Sequence, residues 1–212
     1  SATSNVAFVG LSVGADNDAF TEQGDVFKVT LKTAIPSSVA DLNVRGIIGG
    51  VTRTATNIFS IDVSGNASAA AILAGTNFWS MTPAVGTHYW LTYVSADSGQ
   101  SWTAAQEKSP TGGALAFVNN LCSSGANAAC RVLFAPDFKT NRKAWAATTG
   151  AETSALSLTK DAGLSWDQVS LIDWLSATSM VAGQPPYRGV SLLPDPAYAR
   201  TLTMYALITS PA

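Results

Sequence analysis

The chain has 212 residues, a formal net charge of −2 and only 12% charged residues, so it lacks the positive field that holds nucleic acid, and we expect no nucleic-acid partner. Hydrophobic residues make up 47% of the chain, yet no apolar run reaches the roughly 18 to 20 residues of a membrane helix, and we expect no membrane span. The length suits one domain or part of a larger one. No signal-peptide pattern stands at the start, so we expect any export signal to have been removed or to lie outside the chain.

Ten short segments rich in β-branched and aromatic residues follow one another along the chain, separated by Gly, Asn, Asp and Pro. Such segments predict β-strands, and helical periodicity is hard to find. The segments are 6–11, 25–31, 57–63, 69–75, 89–95, 130–136, 143–149, 154–160, 189–195 and 201–208. Residues 169–177 (VSLIDWLSA) are the one plausible short helix and also fit a loop. The sequence therefore predicts an all-β fold.

The order of these segments repeats. Two units, about 46–108 and 109–175, each place a strand, an apolar second strand and a third strand before a similar octet, and the octets lie 64 residues apart. Four short strands per repeat are typical of β-propeller blades. We therefore expect part of a β-propeller with two complete four-stranded antiparallel blades.

Both ends of the chain resemble partial units. NVAFVGLS and GDVFKVTL (5–31) look like the second and third strands of a blade, and LKTAIPSS stands where its octet should be. Residues 191–209 repeat the part of the second unit around APDFKTNRKAWAATT. We expect a partial blade at each end.

The octets are SADSGQSW (95–102) and TKDAGLSW (159–166). Their pattern, a hydroxyl residue, any residue, Asp, any, Gly, any, Ser and Trp, resembles the Asp-box, or bacterial neuraminidase repeat, at every fixed position. APDF (135–138) also resembles a strand ending common in that family. The family includes sialidases, sortilin-type receptors, xyloglucanases and plastid photosystem assembly factors, so the resemblance implies a propeller with Asp-box hairpins and leaves the activity open.

The residue types of the octets suit a turn between two strands. The fixed positions are Ser95, Asp97, Gly99, Ser101 and Trp102 in the first octet and Thr159, Asp161, Gly163, Ser165 and Trp166 in the second. We expect each Asp to accept backbone N–H groups, each Gly to supply a positive φ, the second Ser to satisfy another turn group, and each Trp to bury its ring against the blade. We therefore favour a structural role over a catalytic one.

Cys122 and Cys130 flank SSGANAA, a flexible stretch that can bring them within disulfide distance. We expect a disulfide and hence an oxidising, extracellular compartment. The alternative is two free thiols in a cytosolic loop.

No motif identifies a catalytic residue. GLSVG (10–14) fits a nucleophile elbow with Ser12 as the nucleophile, but a loop rich in Asp and Asn follows where a helix should begin, and the only available base is His88. Carboxylates for a glycosidase pair and arginines for a sialidase-like cluster could come from Asp62, Asp137, Asp173, Asp195, Arg45, Arg53 and Arg188. None of these is distinguished from a turn or surface residue, so we assign no catalytic site.

Two further groups are candidates for binding. Aromatic residues in or near long connections could stack on sugars or anchor a protein, although core or inter-blade packing is the alternative. They are Trp79, Tyr89, Trp90, Trp174 and Tyr187. The loop with Asp16, Asp18, Glu22 and Asp25 has the oxygen ligands that suit calcium, but it is no EF-hand, and we favour a solvated loop with no metal.

These observations predict an exported, non-catalytic propeller module that binds protein or glycan, or a structural subunit of a cell-surface or extracellular assembly. The first alternative is a glycoside hydrolase whose catalytic carboxylates lie partly outside this chain. The second, an intracellular assembly factor, follows if the two cysteines are reduced. An open sheet edge at each end invites pairing, so self-association or another subunit is expected to close the propeller. Asn66-Ala67-Ser68 fits an N-glycosylation acceptor.

Overall fold

The computed structural model of the chain describes residues 5–11, 25–32, 35–48, 51–54, 57–80, 87–105, 117–118, 129–149, 155–171 and 189–209. Strands dominate these residues, and the two helices are single turns, α1 (Phe138–Asn141) and α2 (Tyr198–Thr201). The all-β prediction is confirmed. Neither described helix has the length and apolar character needed to cross a membrane.

All strand pairs are antiparallel, and most join strands that are consecutive in the chain. Sheet 1 has the order β1 (Asn5–Gly10), β2 (Val26–Lys32) and β3 (Ile35–Asp41). A separate hairpin follows, formed by β4 (Arg45–Ile48) and β5 (Val51–Thr54). Sheet 2 contains β6 (Asn57–Ser64), β7 (Ala71–Ser80) and β8 (Thr87–Ser95), and both β9 (Thr103–Ala104) and β10 (Phe117–Val118) pair with β8.

Two more sheets complete the described fold. Sheet 3 has the order β11 (Ala129–Phe134), β12 (Ala144–Thr149), β13 (Ala155–Thr159) and β14 (Asp167–Leu171). Sheet 4 is the hairpin of β15 (Gly189–Pro194) and β16 (Met204–Thr209). Within the described ranges, no sheet closes on itself. Each of the ten predicted segments overlaps one of these strands.

Adjacent sheets pack face to face, and the apolar core lies in the layers between them. Each layer takes side chains from two sheets, because alternate residues of a strand point to opposite faces. The buried residues include Val26 and Tyr93 between sheets 1 and 2, Leu73 and Val132 between sheets 2 and 3, and Ala147 and Val190 between sheets 3 and 4.

The sequence repeat between sheets 3 and 4 is matched by the backbone of the connection between the first two strands of each sheet. Arg142 and Leu202 both have a left-handed conformation, with φ of 58° and 52°. Each donates its backbone N–H over 2.8 Å to the carbonyl four residues earlier, at Phe138 and Tyr198 respectively. Phe138 and Tyr198 are both buried. Residues of sheet 3 therefore correspond to residues of sheet 4 with an offset of 60.

The N-terminal sheet differs from the sequence-based expectation. β1 lies against β6, as β6 lies against β11 and β11 against β15, and the backbone N–H of Ile58 donates to the carbonyl of Leu11 over 3.2 Å. β1 and β2 therefore take the first and second positions of their sheet, and β3 takes the third. LKTAIPSS contributes to β2 and β3 rather than replacing an octet.

Two other expectations fall partly outside the described residues. The candidate helix 169–177 begins inside β14, so its first three residues are strand, and the remainder lies outside the described ranges. The predicted first unit, 46–108, begins within the β4–β5 hairpin, whereas sheet 2 itself begins at β6.

Candidate functional site

The first octet forms a hydrogen-bonded turn around the carboxylate of Asp97. Asp97 Oδ1 accepts from the Ser95 hydroxyl over 2.8 Å and from the backbone N–H of Ser101 over 2.9 Å, and Asp97 Oδ2 accepts from the Ser101 hydroxyl. The Ser95 hydroxyl in turn accepts the backbone N–H of Gly99 over 2.8 Å. The hydrogen bond from Ser101 lowers the pKa of Asp97 from its ordinary value, because it stabilises the ionised form.

The second octet repeats this network bond for bond. Asp161 Oδ1 accepts from the Thr159 hydroxyl over 2.7 Å and from the Ser165 backbone N–H over 2.9 Å, and Oδ2 accepts from the Ser165 hydroxyl. The Thr159 hydroxyl accepts the backbone N–H of Gly163 over 2.9 Å. Both carboxylates are thus engaged within their own turns, as structural residues would be.

The octet tryptophans connect each sheet to the preceding one. The indole N–H of Trp102 donates to the carbonyl of Leu42 over 2.9 Å, which links sheet 2 to the segment after sheet 1. The indole N–H of Trp166 donates to the hydroxyl of Thr92 over 2.8 Å, which links sheet 3 to sheet 2. Neither acceptor carries a sequence signal, because each lies 60 or more residues away along the chain.

Each octet is also hydrogen-bonded to the connection between the first two strands of its own sheet. The backbone N–H of Ser98 donates to the carbonyl of Ala70 over 2.9 Å, and the backbone N–H of Ala162 donates to the carbonyl of Arg142 over 3.0 Å. This end of sheets 2 and 3 therefore consists of short, mutually bonded turns.

The opposite end of sheet 2 contains three of the predicted aromatic residues, on the neighbouring strands β7 and β8. The register pairs Trp79 with His88 and Asn77 with Trp90, and it places Tyr89 between Phe78 and Phe117 on adjacent strands. The remaining aromatic candidates, Trp174 and Tyr187, lie outside the described residues. Phe78 and Phe117 were not among the predicted residues, since only the strand register places them beside Tyr89.

This aromatic end of sheet 2 is also where the long connections of sheets 2 and 3 begin and end. The strands running away from the octets lead into residues 81–86, 106–116, 150–154 and 172–188. Trp174 and Tyr187 belong to the last of these connections. The described strand ends thus place Trp79, Tyr89 and Trp90 at the end of sheet 2 opposite its octet.

Three of the candidate catalytic aspartates lie in the described residues, and two of them accept hydrogen bonds from the backbone. Asp62 accepts the backbone N–H of Phe134 over 2.6 Å and thereby joins β6 to β11; burial raises the pKa of its carboxyl. Asp195 accepts the backbone N–H of Ala197 over 2.6 Å and the hydroxyl of Tyr205 over 2.9 Å. Asp137 precedes α1, and its Oδ1 is buried without a hydrogen-bond partner in the described part of the chain. Asp62 and Asp195 are therefore engaged with backbone N–H groups.

The other candidate catalytic residues either lie outside the described ranges or belong to β4, β5 and β8. Ser12, Asp173 and Arg188 lie outside the described ranges. Arg45 and Arg53 lie on the paired strands β4 and β5, where their register partners are Thr54 and Gly46. His88 is a register partner of Trp79 in β7 and of Val118 in β10. We therefore assign no catalytic residue.

Of the candidate metal ligands, Asp25 alone is described, because Asp16, Asp18 and Glu22 lie outside the described residues. Asp25 Oδ1 accepts the backbone N–H groups of Val26 and Val44 over 2.6 and 2.9 Å. Burial, with the neighbouring Asp41 carboxyl as a smaller cause, raises the pKa of Asp25 from 3.8 to about 6. Within the described ranges, no three His, Cys, Asp or Glu residues converge on a metal position.

Cys130 differs from the expectation of a disulfide. Its thiol is free and fully buried between sheets 2 and 3, and a Cβ at Gly75 would lie only 3.0 Å from its sulfur. Burial raises the pKa of the Cys130 thiol to about 12. The structure shows no disulfide at Cys130, so the predicted pairing with Cys122, which lies outside the described residues, is not found.

Asn66, the predicted glycosylation acceptor, is exposed in the connection between β6 and β7. Its Oδ1 accepts the Ser68 hydroxyl over 2.9 Å and the backbone N–H of Ala69 over 3.1 Å.

No family model matches the chain, and no curated protein matches it significantly. A functional assignment must therefore come from the residues and their geometry.

Proposed function

We propose that the chain is part of an exported Asp-box β-propeller and acts as a non-catalytic module that binds a glycan or protein at the cell surface or in an extracellular assembly. The aromatic end of sheet 2 is its binding region. The observation that carries this proposal is the difference between the two ends of the sheets. One end consists of bonded turns, and the other gathers aromatic positions next to long connections.

Two observations support a propeller in particular. The octets have identical hydrogen-bond networks in consecutive sheets, and their tryptophans both reach the preceding sheet. Octets that bond within their own turns and contact the preceding sheet stabilise a series of sheets stacked in a constant order. Like other propellers, the chain would then carry its binding residues on loops and strand ends at one side of the stack.

The engagement of Asp62, Asp195 and the two octet carboxylates supports a binding role over hydrolysis. A glycosidase needs one carboxyl group as a proton donor and a second as a nucleophile or base, both facing the scissile bond. Asp62 and Asp195 instead accept backbone N–H groups, and the octet carboxylates accept turn donors. Aromatic rings, by contrast, bind sugars without any such group.

The experiment measures binding and hydrolysis together. The chain is titrated with soluble β-glucan, xyloglucan, xylan and chitooligosaccharides, and the release of reducing ends is followed in the same samples. We expect binding without release, and we expect Trp79→Ala and Trp90→Ala each to weaken binding by at least about tenfold, the equivalent of 1.4 kcal/mol. Leu164→Ala is the control, because this exposed leucine belongs to the second octet, at the end of the sheets away from the aromatic positions.

Two results would contradict the proposal. Release of reducing ends would favour the hydrolase alternative. Binding that persists in both tryptophan variants but weakens in Leu164→Ala would place the binding surface elsewhere. If no sugar binds, the same variants are tested against extracellular proteins of the native host, and an absence of any ligand there would leave only the structural-subunit role.

A further inference from the structure

The last sheet has one covered face and one free face. Val190 and Leu192 are buried against sheet 3. The opposite face carries Leu193, Tyr205 and Leu207, which are 57%, 53% and 60% exposed. Leu193 and Tyr205 are register partners, so they project side by side from the same face. Large apolar groups gathered on one face of a sheet usually mark a contact surface.

Sheet 3 shows what covers such a face. Under the offset of 60 residues, Leu193 corresponds to Leu133 and Tyr205 to Trp145, and Leu133 and Trp145 are likewise register partners. Both pack against sheet 4 in the layer that contains Val190. The free face of sheet 4 therefore repeats, at corresponding positions, a face of sheet 3 that another sheet covers.

The first sheet has the complementary free face. Phe8 and Val26 point into the layer shared with sheet 2. Val9 and Val39 are 40% and 61% exposed, and the register of β1, β2 and β3 places them on the other face together with Val29. This is the face that a preceding sheet would cover if the stacking order continued.

We propose that the free face of sheet 4 binds the free face of sheet 1 of a second copy of this chain, in a head-to-tail contact. The contact continues the order of the three layers inside the chain, in which the later sheet of each pair covers the earlier one. An interface between two different faces can grow into a closed ring or an open series of copies. The proposal rests on the propeller architecture proposed above, but its test reads mass and needs no ligand, so the two can fail separately.

The test uses one blocked face per chain. Leu207→Glu places a charge on the face of sheet 4, and Val39→Glu places one on the face of sheet 1. We expect the unmodified chain to associate with rising concentration in sedimentation velocity, and each variant alone to lose association by at least about tenfold. An equimolar mixture of the two variants should form a species of two chains and no larger one, because it contains one intact pair of faces.

Controls keep the result interpretable. Leu164→Glu changes another exposed leucine at an octet position that holds Gln100 in the first octet, and it should associate like the unmodified chain. If Leu207→Glu fails to fold by circular dichroism, Leu193→Gln blocks the same face with a smaller change. The proposal is overturned if the unmodified chain stays monomeric at every concentration, if Val39→Glu alone still forms pairs, or if the mixture remains monomeric.

Discussion

The indole N–H of Trp166 donates to the hydroxyl of Thr92, 2.8 Å away, across the boundary between sheets 3 and 2. Both residues are almost fully buried, with exposures of 2% and 0%. A buried donor and acceptor that satisfy each other keep two sheets in one relative position, since losing either partner leaves the other unpaired. This bond explains why the octet ends in Trp rather than in another large apolar residue.

The Trp166 bond gives the first prediction. We expect Trp166→Phe and Thr92→Val each to lower the free energy of unfolding by about 1–3 kcal/mol, because each leaves a buried polar group unpaired. The double variant should lose less than the sum of the two, with a coupling of about 1 kcal/mol. Urea denaturation of the four proteins measures these values, and strict additivity would show that the bond does not stabilise the boundary.

The two octet glycines should differ in their tolerance of a side chain. Gly99 and Gly163 both have positive φ, 88° and 95°, so an alanine at either costs about 1–2 kcal/mol in backbone strain. A Cβ at Gly99 would also lie 2.5 Å from the side chain of Leu42, whereas at Gly163 the nearest atom is 3.4 Å away, on Leu73. We expect Gly99→Ala to be the more destabilising change in thermal unfolding. Leu42→Ala in the same chain should recover part of the difference, and equal losses for the two glycines would contradict this reasoning.

The octet carboxylates give a prediction with a pH dependence. Asp97→Asn removes an ionised acceptor of turn hydrogen bonds, and we expect a loss of about 1–2 kcal/mol at pH 7. Because the pKa of Asp97 is lowered in the folded chain, its contribution is present above the unfolded value near 4 and is lost as the pH falls through the folded pKa. The difference between the unmodified chain and Asp97→Asn should therefore shrink below about pH 4. Leu164→Gln is the neutral control, and a difference independent of pH would mean that the charge of Asp97 is irrelevant.

Asp25 should behave in the opposite way. Its pKa is raised from 3.8 to about 6, so the folded chain binds more protons than the unfolded chain between these values, and this group's contribution to stability falls as the pH rises through that window. Asp25→Asn keeps an oxygen acceptor for the backbone N–H groups of Val26 and Val44 and carries no charge. We expect the variant to gain stability relative to the unmodified chain as the pH rises from 4 to 7. Urea denaturation at intervals across this range measures the gain, and a constant difference between the two proteins would contradict the raised pKa.

The thiol of Cys130 gives a chemical prediction. Since the thiol is buried and its pKa is raised to about 12, we expect iodoacetamide to leave it unmodified in the native chain, because only the thiolate reacts rapidly. After denaturation without reductant, intact mass should show both cysteines alkylated. If alkylation required a reductant, the sequence-based disulfide between Cys122 and Cys130 would be restored, and with it the argument for an oxidising compartment.

Much of the fold could be predicted because its signals are local. Alternating apolar residues and turn residues within a few positions of each other were sufficient for the ten strand segments. The N-terminal sheet was harder, since β1 and β2 carry no octet to show their order. Their positions follow from the contact of β1 with β6, which depends on residues such as Leu11 and Ile58 that are distant in sequence. The candidate site was only half predictable, because the sequence indicated Trp79, Tyr89 and Trp90 but not Phe78 and Phe117, which register alone places beside Tyr89.

The sequence by itself determined the all-β class and the repeated octets, since strand alternation and turn hydrogen bonds join residues only a few positions apart. Only the tertiary structure decided what those elements contact. It assigned Leu42 and Thr92 as acceptors of the octet tryptophans, engaged Asp62 with the backbone of Phe134, and left Cys130 as a free buried thiol. It also showed which faces of the first and last sheets are free. These features depend on groups 60 or more residues apart or on the side of a sheet that a neighbour covers, and no local pattern encodes either.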